Sequence, residues 1–469
     1  MDPLMFKRNL IVALIVILLL TVFFVSYPPI EPPGQDGAGP GDNAYTCDTE
    51  TGLFIERKDM WTAYMGEELG GYIYAPSCSL RPEKAPVVFF FHAFIAEERD
   101  HYEGFFKHLA GKNYIVIAPN YNTPGTSGRL SGAYNEILLR TRDRGIVGAN
   151  AGYQYYVEHI LDSTNVPAPM VEQGELLYGV AGHSFGGATS AAFANPTIRS
   201  SVLGDQGFPW NPKTVVMMNS AGVDLFPRCP GAFETAWCCP TCPLGHLMIL
   251  FGLDNGYWRS NWLPDPAMCP YGEYVESEDG QHCMGTDGTF FWGDLSDVDY
   301  NPLWIVMGSE DDTDGGETGE LQLYCRTTRI SDKQYLRVRS DDHGKPFTND
   351  LMSKHLDPAG ADLLAPIWMG EVDGHDYWAY WKIVTAALNC TSHGQDCNYA
   401  RGGTREQLRM GTWSDGQAVK PMQWNPRVRD NTGTCHELGD HSIDGTACYR
   451  VQSGTWDWRG NKRQANCDE

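Results

Sequence analysis

Residues 176–187, LLYGVAGHSFGG, join a short apolar strand directly to the motif Gly-x-Ser-x-Gly. The chain must reverse from strand to helix within a few residues. Ser184 is therefore predicted at the apex of a strained turn, with glycines on both sides to relieve backbone crowding. The small residues of 188–194 then allow a helix to pack closely on a sheet. This stretch predicts a nucleophilic serine displayed at the end of a sheet strand.

Apolar runs alternate with helical patterns on both sides of this stretch. Strands are predicted at 87–91, 114–118, 214–218, 303–307 and 335–338, and helices at 101–109, 149–161 and 381–388. Strands separated by helices are typical of a mostly parallel central sheet with helices on both faces. We therefore expect an α/β protein.

The length and charge of the chain limit its function classes. With 469 residues it can bury a large core, and one enlarged domain with insertions fits this length. A formal charge of -24 opposes binding to nucleic acid and to anionic lipid. We expect no nucleic-acid partner, and the sequence leaves the oligomeric state open.

The N-terminal segment, residues 1–27, has the pattern of a membrane-targeting sequence. Basic residues precede an apolar run from Leu10 to Val25, which fits either a cleaved signal peptide or an uncleaved anchor. Bulky residues follow the run where a signal peptidase needs small ones, which favours the anchor. Residues 28–43 are rich in Pro and Gly and predict a flexible stalk. The remainder is then expected to be luminal or extracellular on a single-pass anchor, or secreted.

Fourteen cysteines agree with an oxidising compartment, where we expect most of them to pair as disulfides. Six of them lie in residues 226–299, where the strand and helix alternation stops. This insertion is predicted to be either a stapled lid or a purely structural loop. Residues 398–469 are predicted to be an irregular stapled extension, which leaves 44–397 as the main domain. The Cys-x-x-Cys between Cys238 and His246 has no matching second pair, so we expect no metal.

A serine hydroxyl becomes a good nucleophile when a histidine takes its proton and a carboxylate orients that histidine. On a sheet of this kind the partners follow in the order serine, acid, histidine. That order excludes the histidines before Ser184, including His183. Among the later ones His375, just before the closing helix, is attractive, and His355 is interpreted as a solvated loop residue.

Residues 308–313 read GSEDDT and follow the predicted strand 303–307. They match the Gly-x-Glu-x-Asp-Thr pattern of cutinase-like proteins, and the chain between Ala85 and Leu388 resembles the ester hydrolases that include cutinases, polyester hydrolases and chlorophyllases, which have the α/β-hydrolase fold. The resemblance implies Asp312 as the acid, with Asp311 as the neighbour that could be confused with it.

The same resemblance implies the catalytic histidine. In this family it follows shortly after a Lys-Gln-aromatic-Leu strand, which matches residues 333–336 and leads to His343. His375 remains the rival.

The oxyanion of the reaction needs two backbone donors. One is expected to be the N–H of Phe185, directly after the nucleophile. The other is expected from Phe94, because His92-Ala93-Phe94 resembles the His-Gly-aromatic turn of the family. The two phenyl rings would either flank the acyl group or belong to the core.

Together these features predict a serine carboxylic-ester hydrolase that acts on an apolar ester through Ser184, Asp312 and His343, without a cofactor. Two alternatives stay open: a lipase or phospholipid acyl hydrolase close to its own membrane, and a catalytically inactive hydrolase-fold binding protein.

The acidic runs 294–299 and 311–314 do not have the spacing of a known calcium loop and are interpreted as solvated loops.

Overall fold

A computed structural model describes the parts of the chain considered below. They are residues 30–35, 37, 39–93, 98–121, 134–162, 164–204, 208–220, 273–277, 280–284, 289–309, 320, 323–324, 326–344, 350–360, 372–424, 427–429, 435–436 and 448–450. Only the backbone is described for 98–100, 134–137, 273–277, 280–284, 289–290, 427–429, 435–436 and 448–450.

A nine-stranded sheet forms the centre of the domain. Its strands are β1 Leu53–Tyr64, β2 Glu67–Pro76, β3 Val87–Phe91, β4 Ile115–Asn120, β5 Tyr178–His183, β6 Thr214–Met218, β7 Leu303–Gly308, β8 Lys333–Arg337 and β9 Gln423–Trp424. Their spatial order is β1-β2-β4-β3-β5-β6-β7-β8-β9. Neighbours from β4 to β8 pair in parallel, and β2 and β9 run antiparallel to their neighbours. This is the α/β-hydrolase fold, so the predicted fold class is confirmed.

Helices cover both faces of the sheet, as predicted. The longer ones are α1 Glu98–Gly111, α2 Tyr134–Tyr155, α3 Phe185–Ala194, α4 Pro196–Leu203 and α5 Lys382–His393. A π-helical turn, Tyr156–Ile160, follows α2, and a second one, Asp376–Trp381, leads into α5.

Strand β3 shows why its sequence, VVFFF, lies at the centre. Successive side chains of a strand point to opposite faces, and all five are fully buried. Phe89 and Phe91 join an apolar cluster with α2 and α3, while Phe90 joins a second cluster with α1 and α5. A strand buried on both faces cannot alternate apolar and polar residues, which is why it forms one continuous apolar run.

Shorter elements connect these parts. They are strands Lys84–Ala85, Ala168–Pro169, Val171–Glu172, Glu175–Leu176, Glu273–Ser277, Gly280–Met284, Arg427–Arg429, Cys435–His436 and Cys448–Arg450, the helices Thr289–Trp292, Cys397–Ala400 and Arg405–Leu408, and the 3₁₀ turn Leu295–Asp297.

The predicted flexible stalk is wrong for the described residues of 30–43. The backbone of Glu31 exchanges hydrogen bonds with Ser414, and the indole N–H of Trp378 donates to the carbonyl of Gly34 at 3.0 Å. Lys112 forms an ion pair with Asp42 at 2.6 Å. A Pro- and Gly-rich segment has few apolar side chains to bury, but its carbonyls accept hydrogen bonds from the domain, and this fixes its path.

The first part of the predicted extension also belongs to the domain. Its strand β9 adds to the edge of β8, and the disulfide Cys390–Cys397 links α5 to the residue directly before the extension. A second disulfide joins Cys47 and Cys78.

Residues 221–272, which contain most of the predicted lid, lie outside the described residues, as does the predicted anchor 1–27. Within the described ranges, no helix combines the length and the apolar character needed to cross a bilayer.

Candidate active site

Ser184 lies at the turn between β5 and α3, where the sequence predicts it. Its backbone has φ 56° and ψ -122°, a combination that L-residues adopt only under strain. The N–H of Ser184 donates to the carbonyl of Met218 on β6 at 3.0 Å. This bond holds the turn on the sheet, while the residue remains 7% exposed.

Two glycines make the turn possible. A Cβ atom at Gly186 would lie 1.9 Å from the carbonyl oxygen of Phe91, and one at Gly182 would lie 2.2 Å from the carbonyl oxygen of Gly186. Real Cβ atoms do not approach oxygen so closely, because van der Waals repulsion rises steeply there. The glycines of Gly-x-Ser-x-Gly therefore let the serine turn contact the end of β3.

The histidine in contact with Ser184 is His355. Its Nε2 atom lies 2.8 Å from Ser184 Oγ, which is hydrogen-bonding distance. A neutral imidazole that accepts the serine proton at Nε2 carries its own proton on Nδ1. The Nδ1 atom is buried and has no hydrogen-bond partner among the described residues. The sequence interpretation of His355 as a solvated loop residue is therefore wrong.

The backbone of His355 is held from two sides. Its carbonyl accepts a hydrogen bond from His183 Nε2 at 2.7 Å and one from Asn219 Nδ2 at 3.2 Å. Asn219 follows β6 directly and also donates to the carbonyl of Lys354 at 3.0 Å. Strand ends β5 and β6 thus fix the histidine loop against the serine turn.

His183 connects this loop to the turn after β3. The hydroxyl of Tyr102 lies 2.6 Å from His183 Nδ1, and the N–H of Ala93 donates to the same hydroxyl at 3.2 Å. Because a carbonyl can only accept, His183 donates from Nε2 to His355 and accepts from Tyr102 at Nδ1. One chain of hydrogen bonds therefore joins the turn at Ala93, the residue before the nucleophile and the backbone of His355.

Burial keeps this chain of hydrogen bonds uncharged. It lowers the pKa of His183 well below the ordinary value, and the nearby His355 lowers it further. Burial also raises the pKa of Tyr102 far above its ordinary value. Both groups are neutral at physiological pH, which fixes the direction of each hydrogen bond.

Side-chain contacts hold His92 and Ala93, the first residues of the turn after β3. His92 is buried and stacks on Tyr121, with ring centroids 4.0 Å apart and planes at 9°. Burial lowers the pKa of His92 to about 4, and Tyr121 donates to its carbonyl. Phe94, the predicted second oxyanion donor, lies outside the described residues.

The other predicted donor, Phe185, is the first residue of α3, where helical N–H groups have no acceptor within the helix. Its ring is 1% exposed and packs on Phe291 with centroids 5.2 Å apart. Of the two roles considered for this ring, core packing is the one observed.

His343, the predicted base, does not contact Ser184. Its Nε2 lies 2.7 Å from Asp415 of the C-terminal extension, in a pair that is partly exposed to solvent. His343 lies between the two partners of an isolated bridge, Asp341 and Leu351, and His355 follows that bridge. The structure brings His355, and not His343, to Ser184, so the prediction of His343 is wrong in this structure.

His375, the rival, does not contact Ser184 either. It is fully buried, and its Nδ1 lies 2.9 Å from the carboxylate of Asp357.

The predicted acid Asp312 and its neighbour Asp311 lie outside the described residues, so the acid stays a prediction. A usable sequence signal for His355 was its place between β8 and the closing helix, which it shares with His343 and His375.

Metal ligation has no candidate in the described ranges, where no group of three or more His, Cys, Asp or Glu side chains is arranged around a common centre. In the acidic run 294–299, Asp294 instead caps a 3₁₀ turn by accepting from the N–H of Ser296 at 2.9 Å. The Cys-x-x-Cys near His246 and the acidic run 311–314 lie outside the described residues.

No protein-family model matches the sequence, and no curated protein matches it. Solved structures show a distant similarity. The crystal structure of esterase B from Lactobacillus Rhamnosis (HN001) superposes with a TM-score of 0.35 at 12% identity over 62% of this chain and 76% of the esterase. A C6-C4 SN3 inhibited form of esterase B gives a TM-score of 0.35 at 13% identity over 62% and 77%. At such low identity and TM-score the likeness supports no conclusion about this chain. The resemblance to chlorophyllases and cutinases is supported by motifs alone.

Proposed function

We propose that this protein is a serine carboxylic-ester hydrolase in which Ser184 is the nucleophile and His355 the general base. The observation that carries the proposal is the 2.8 Å hydrogen bond between Ser184 Oγ and His355 Nε2, at a strained strand-to-helix turn. A serine activated in this way attacks ester carbonyls.

The reaction follows from this pair. Ser184 Oγ attacks the carbonyl carbon while its proton moves to His355 Nε2, which gives a tetrahedral oxyanion. The N–H of Phe185 and, by the family resemblance, that of Phe94 stabilise the oxyanion. The His355 proton then passes to the alcohol as the ester bond breaks, leaving an acyl-serine. Water, deprotonated by His355, releases the acid and restores the hydroxyl.

We propose Asp312 as the acid that orients His355. It follows β7, and His355 follows β8, which agrees with the chain order of acid and histidine on such a sheet. An imidazole that accepts from Ser184 at Nε2 needs an acceptor for the proton on Nδ1, and the described residues do not supply one. Asp312→Asn should therefore lower kcat strongly while the variant remains folded.

The substrate is proposed to be an apolar ester, on the strength of the motifs shared with chlorophyllases and cutinases. A hydrolysis screen over p-nitrophenyl esters of graded chain length, together with a pigment ester, a polyester and a phospholipid vesicle, would distinguish this substrate from a lipid. Activity that rises at a lipid interface, with little turnover of soluble esters, would favour the lipase alternative.

Ser184→Ala is the direct test. We expect it to abolish turnover of p-nitrophenyl butyrate and covalent labelling by a fluorophosphonate probe, with an unchanged thermal unfolding midpoint. Retained turnover in the alanine variant would overturn the proposal. A wild-type protein that the probe does not label would instead favour an inactive binding protein.

We further propose that the domain is anchored by residues 1–27 and faces the lumen or the exterior. The support is the basic and apolar pattern of that segment and the disulfides Cys47–Cys78 and Cys390–Cys397, which are typical of oxidising compartments. Alkaline carbonate extraction tests it: an anchored protein stays in the membrane pellet, and a secreted one appears in the medium.

A further inference from the structure

A second histidine–carboxylate pair lies behind the residue proposed as the base. His375 Nδ1 lies 2.9 Å from Asp357 Oδ2, and Asp357 is two residues after His355. His375 is completely buried and the Asp357 side chain is 10% exposed. Neither side chain contacts Ser184, so the pair has no direct part in the chemistry proposed above.

The carboxylate of Asp357 closes the turn that carries His355. Its Oδ2 accepts a hydrogen bond from the N–H of Lys354 at 3.0 Å, and the N–H of Asp357 donates to the carbonyl of Lys354 at 3.2 Å. One oxygen therefore binds both the backbone before His355 and the ring of His375. Rotation of the Asp357 side chain would release both contacts together.

The π-helical turn that follows His375 holds the other side of the same loop. The Tyr380 hydroxyl lies 2.9 Å from Asn219 Nδ2, which donates to the carbonyl of His355 at 3.2 Å. Residues 375–380 thus reach the His355 backbone by two routes, through Asp357 and through Asn219. Helix α5 follows this turn and packs on the sheet. The loop that carries His355 is therefore attached to the core of the domain.

The hydrogen bond and the nearby charges favour contact between His375 and Asp357. Burial by itself lowers the pKa of His375, but the hydrogen bond and the charge of Asp357, with the charge of Asp373, outweigh burial and raise it. Burial, with the charge of Asp373, raises the pKa of Asp376 well above its ordinary value. A buried carboxylate that is hydrogen-bonded to a histidine is far less costly than an unpaired one, so the contact between Asp357 and His375 is favoured.

We propose that Asp357 and His375 are a positioning pair that sets the place of His355 against Ser184. This inference rests on the proposed function for its kinetic consequence only. The pair acts through the backbone of the loop, and a loop that moves by about 1 Å can cost on the order of 100-fold in rate.

The test compares Asp357→Asn, His375→Leu and His375→Asn with wild type, using the full-length protein. Asparagine places an amide donor near the position of Nδ1, whereas leucine fills the space with no donor. We expect kcat for p-nitrophenyl butyrate and the rate of fluorophosphonate labelling to fall about 10- to 100-fold in the first two variants. KM should change less than about threefold, and His375→Asn should recover part of the loss.

Hydrogen exchange of the peptide 351–360 gives a readout that does not need activity. Its amides should exchange faster in Asp357→Asn and His375→Leu than in wild type. Asp415→Asn is the matched control, because it removes the carboxylate of the surface pair with His343 at 2.7 Å; it should alter neither exchange at 351–360 nor labelling.

The outcomes separate the two proposals. Unchanged exchange at 351–360 in variants that remain folded overturns the positioning pair. A wild type that shows neither turnover nor labelling overturns the proposed function, while the exchange result still decides whether the pair fixes the loop. If His375→Leu does not fold, the isosteric Asp357→Asn decides the question by the same measurements.

Discussion

His355 Nε2 lies 2.8 Å from Ser184 Oγ, although 171 residues separate the two positions. The contact forms because the loop after β8 returns to the end of β5, where the backbone of His355 is bound by His183 and Asn219. Serine and histidine therefore meet at the edge of the sheet formed by the carboxyl ends of its parallel strands, where ligands of such sheets bind.

Substitutions of the histidines distinguish the base from its neighbours. His355→Ala should lower kcat/KM about 10⁴-fold, because the serine loses its proton acceptor. His343→Ala should change kcat/KM less than about twofold, since its ring contacts Asp415 and Trp413. Steady-state kinetics on p-nitrophenyl butyrate checks both, and the reverse pattern would restore His343 as the base.

Tyr102→Phe tests the hydrogen-bond chain through His183. The substitution removes the acceptor of the Ala93 N–H and the donor to His183 Nδ1. Leaving buried polar groups unpaired costs about 1–3 kcal/mol, so urea denaturation should show a loss of that size. We also expect a fall in kcat of about tenfold, because the hydrogen bonds that connect the turn after β3 to the loop of His355 are broken. A variant with full stability and activity would show that neither folding nor catalysis needs this chain of hydrogen bonds.

Gly186→Ala tests the close approach of the serine turn to β3. The added Cβ would lie 1.9 Å from the carbonyl oxygen of Phe91, so the turn has to move. We expect a loss of about 2 kcal/mol or more in the free energy of unfolding and loss of activity. Gly34→Ala is the control, because nothing lies within 4 Å of its added Cβ. Equal stability of the two variants would contradict the steric argument.

Asp373 gives a pH dependence with a definite sign. Burial raises its pKa to about 6, and the charge of His375 opposes the rise. The pKa of a free aspartic acid side chain is about 3.9. The folded state thus binds the Asp373 proton more tightly than the unfolded state does. The resulting contribution to the free energy of unfolding is present below about pH 4 and lost as the pH rises through about 6.

Asp373→Asn removes that titration. The free energy of unfolding of the variant minus that of wild type should increase by about 2 kcal/mol between pH 4 and pH 7. Urea denaturation at four pH values over this range measures the difference. A difference that stays constant, or falls, would show that Asp373 is not held in a desolvated site.

The sequence by itself determined the sheet and the serine. Buried strands such as Val87–Phe91 and Thr214–Met218 form short apolar runs, and both were predicted with these bounds. The turn at Ser184 was predictable because its requirements are local: a strand before it, a helix after it and no side chain at Gly182 and Gly186. The mostly parallel sheet with helices on both faces follows from this alternation, since strands separated by helices form a parallel sheet, and the resemblance to ester hydrolases implied the α/β-hydrolase fold.

Only the tertiary structure decided which histidine meets the serine. His343, His355 and His375 all follow β8, so chain order treats them alike. Among the described residues, His343 pairs with Asp415 and the buried His375 pairs with Asp357, whereas His355 contacts Ser184. These contacts join residues far apart in the chain, and their geometry is set by packing, which no local pattern records. The path of residues 30–43 has the same explanation: their composition predicts flexibility, while hydrogen bonds to Trp378 and Ser414 fix them.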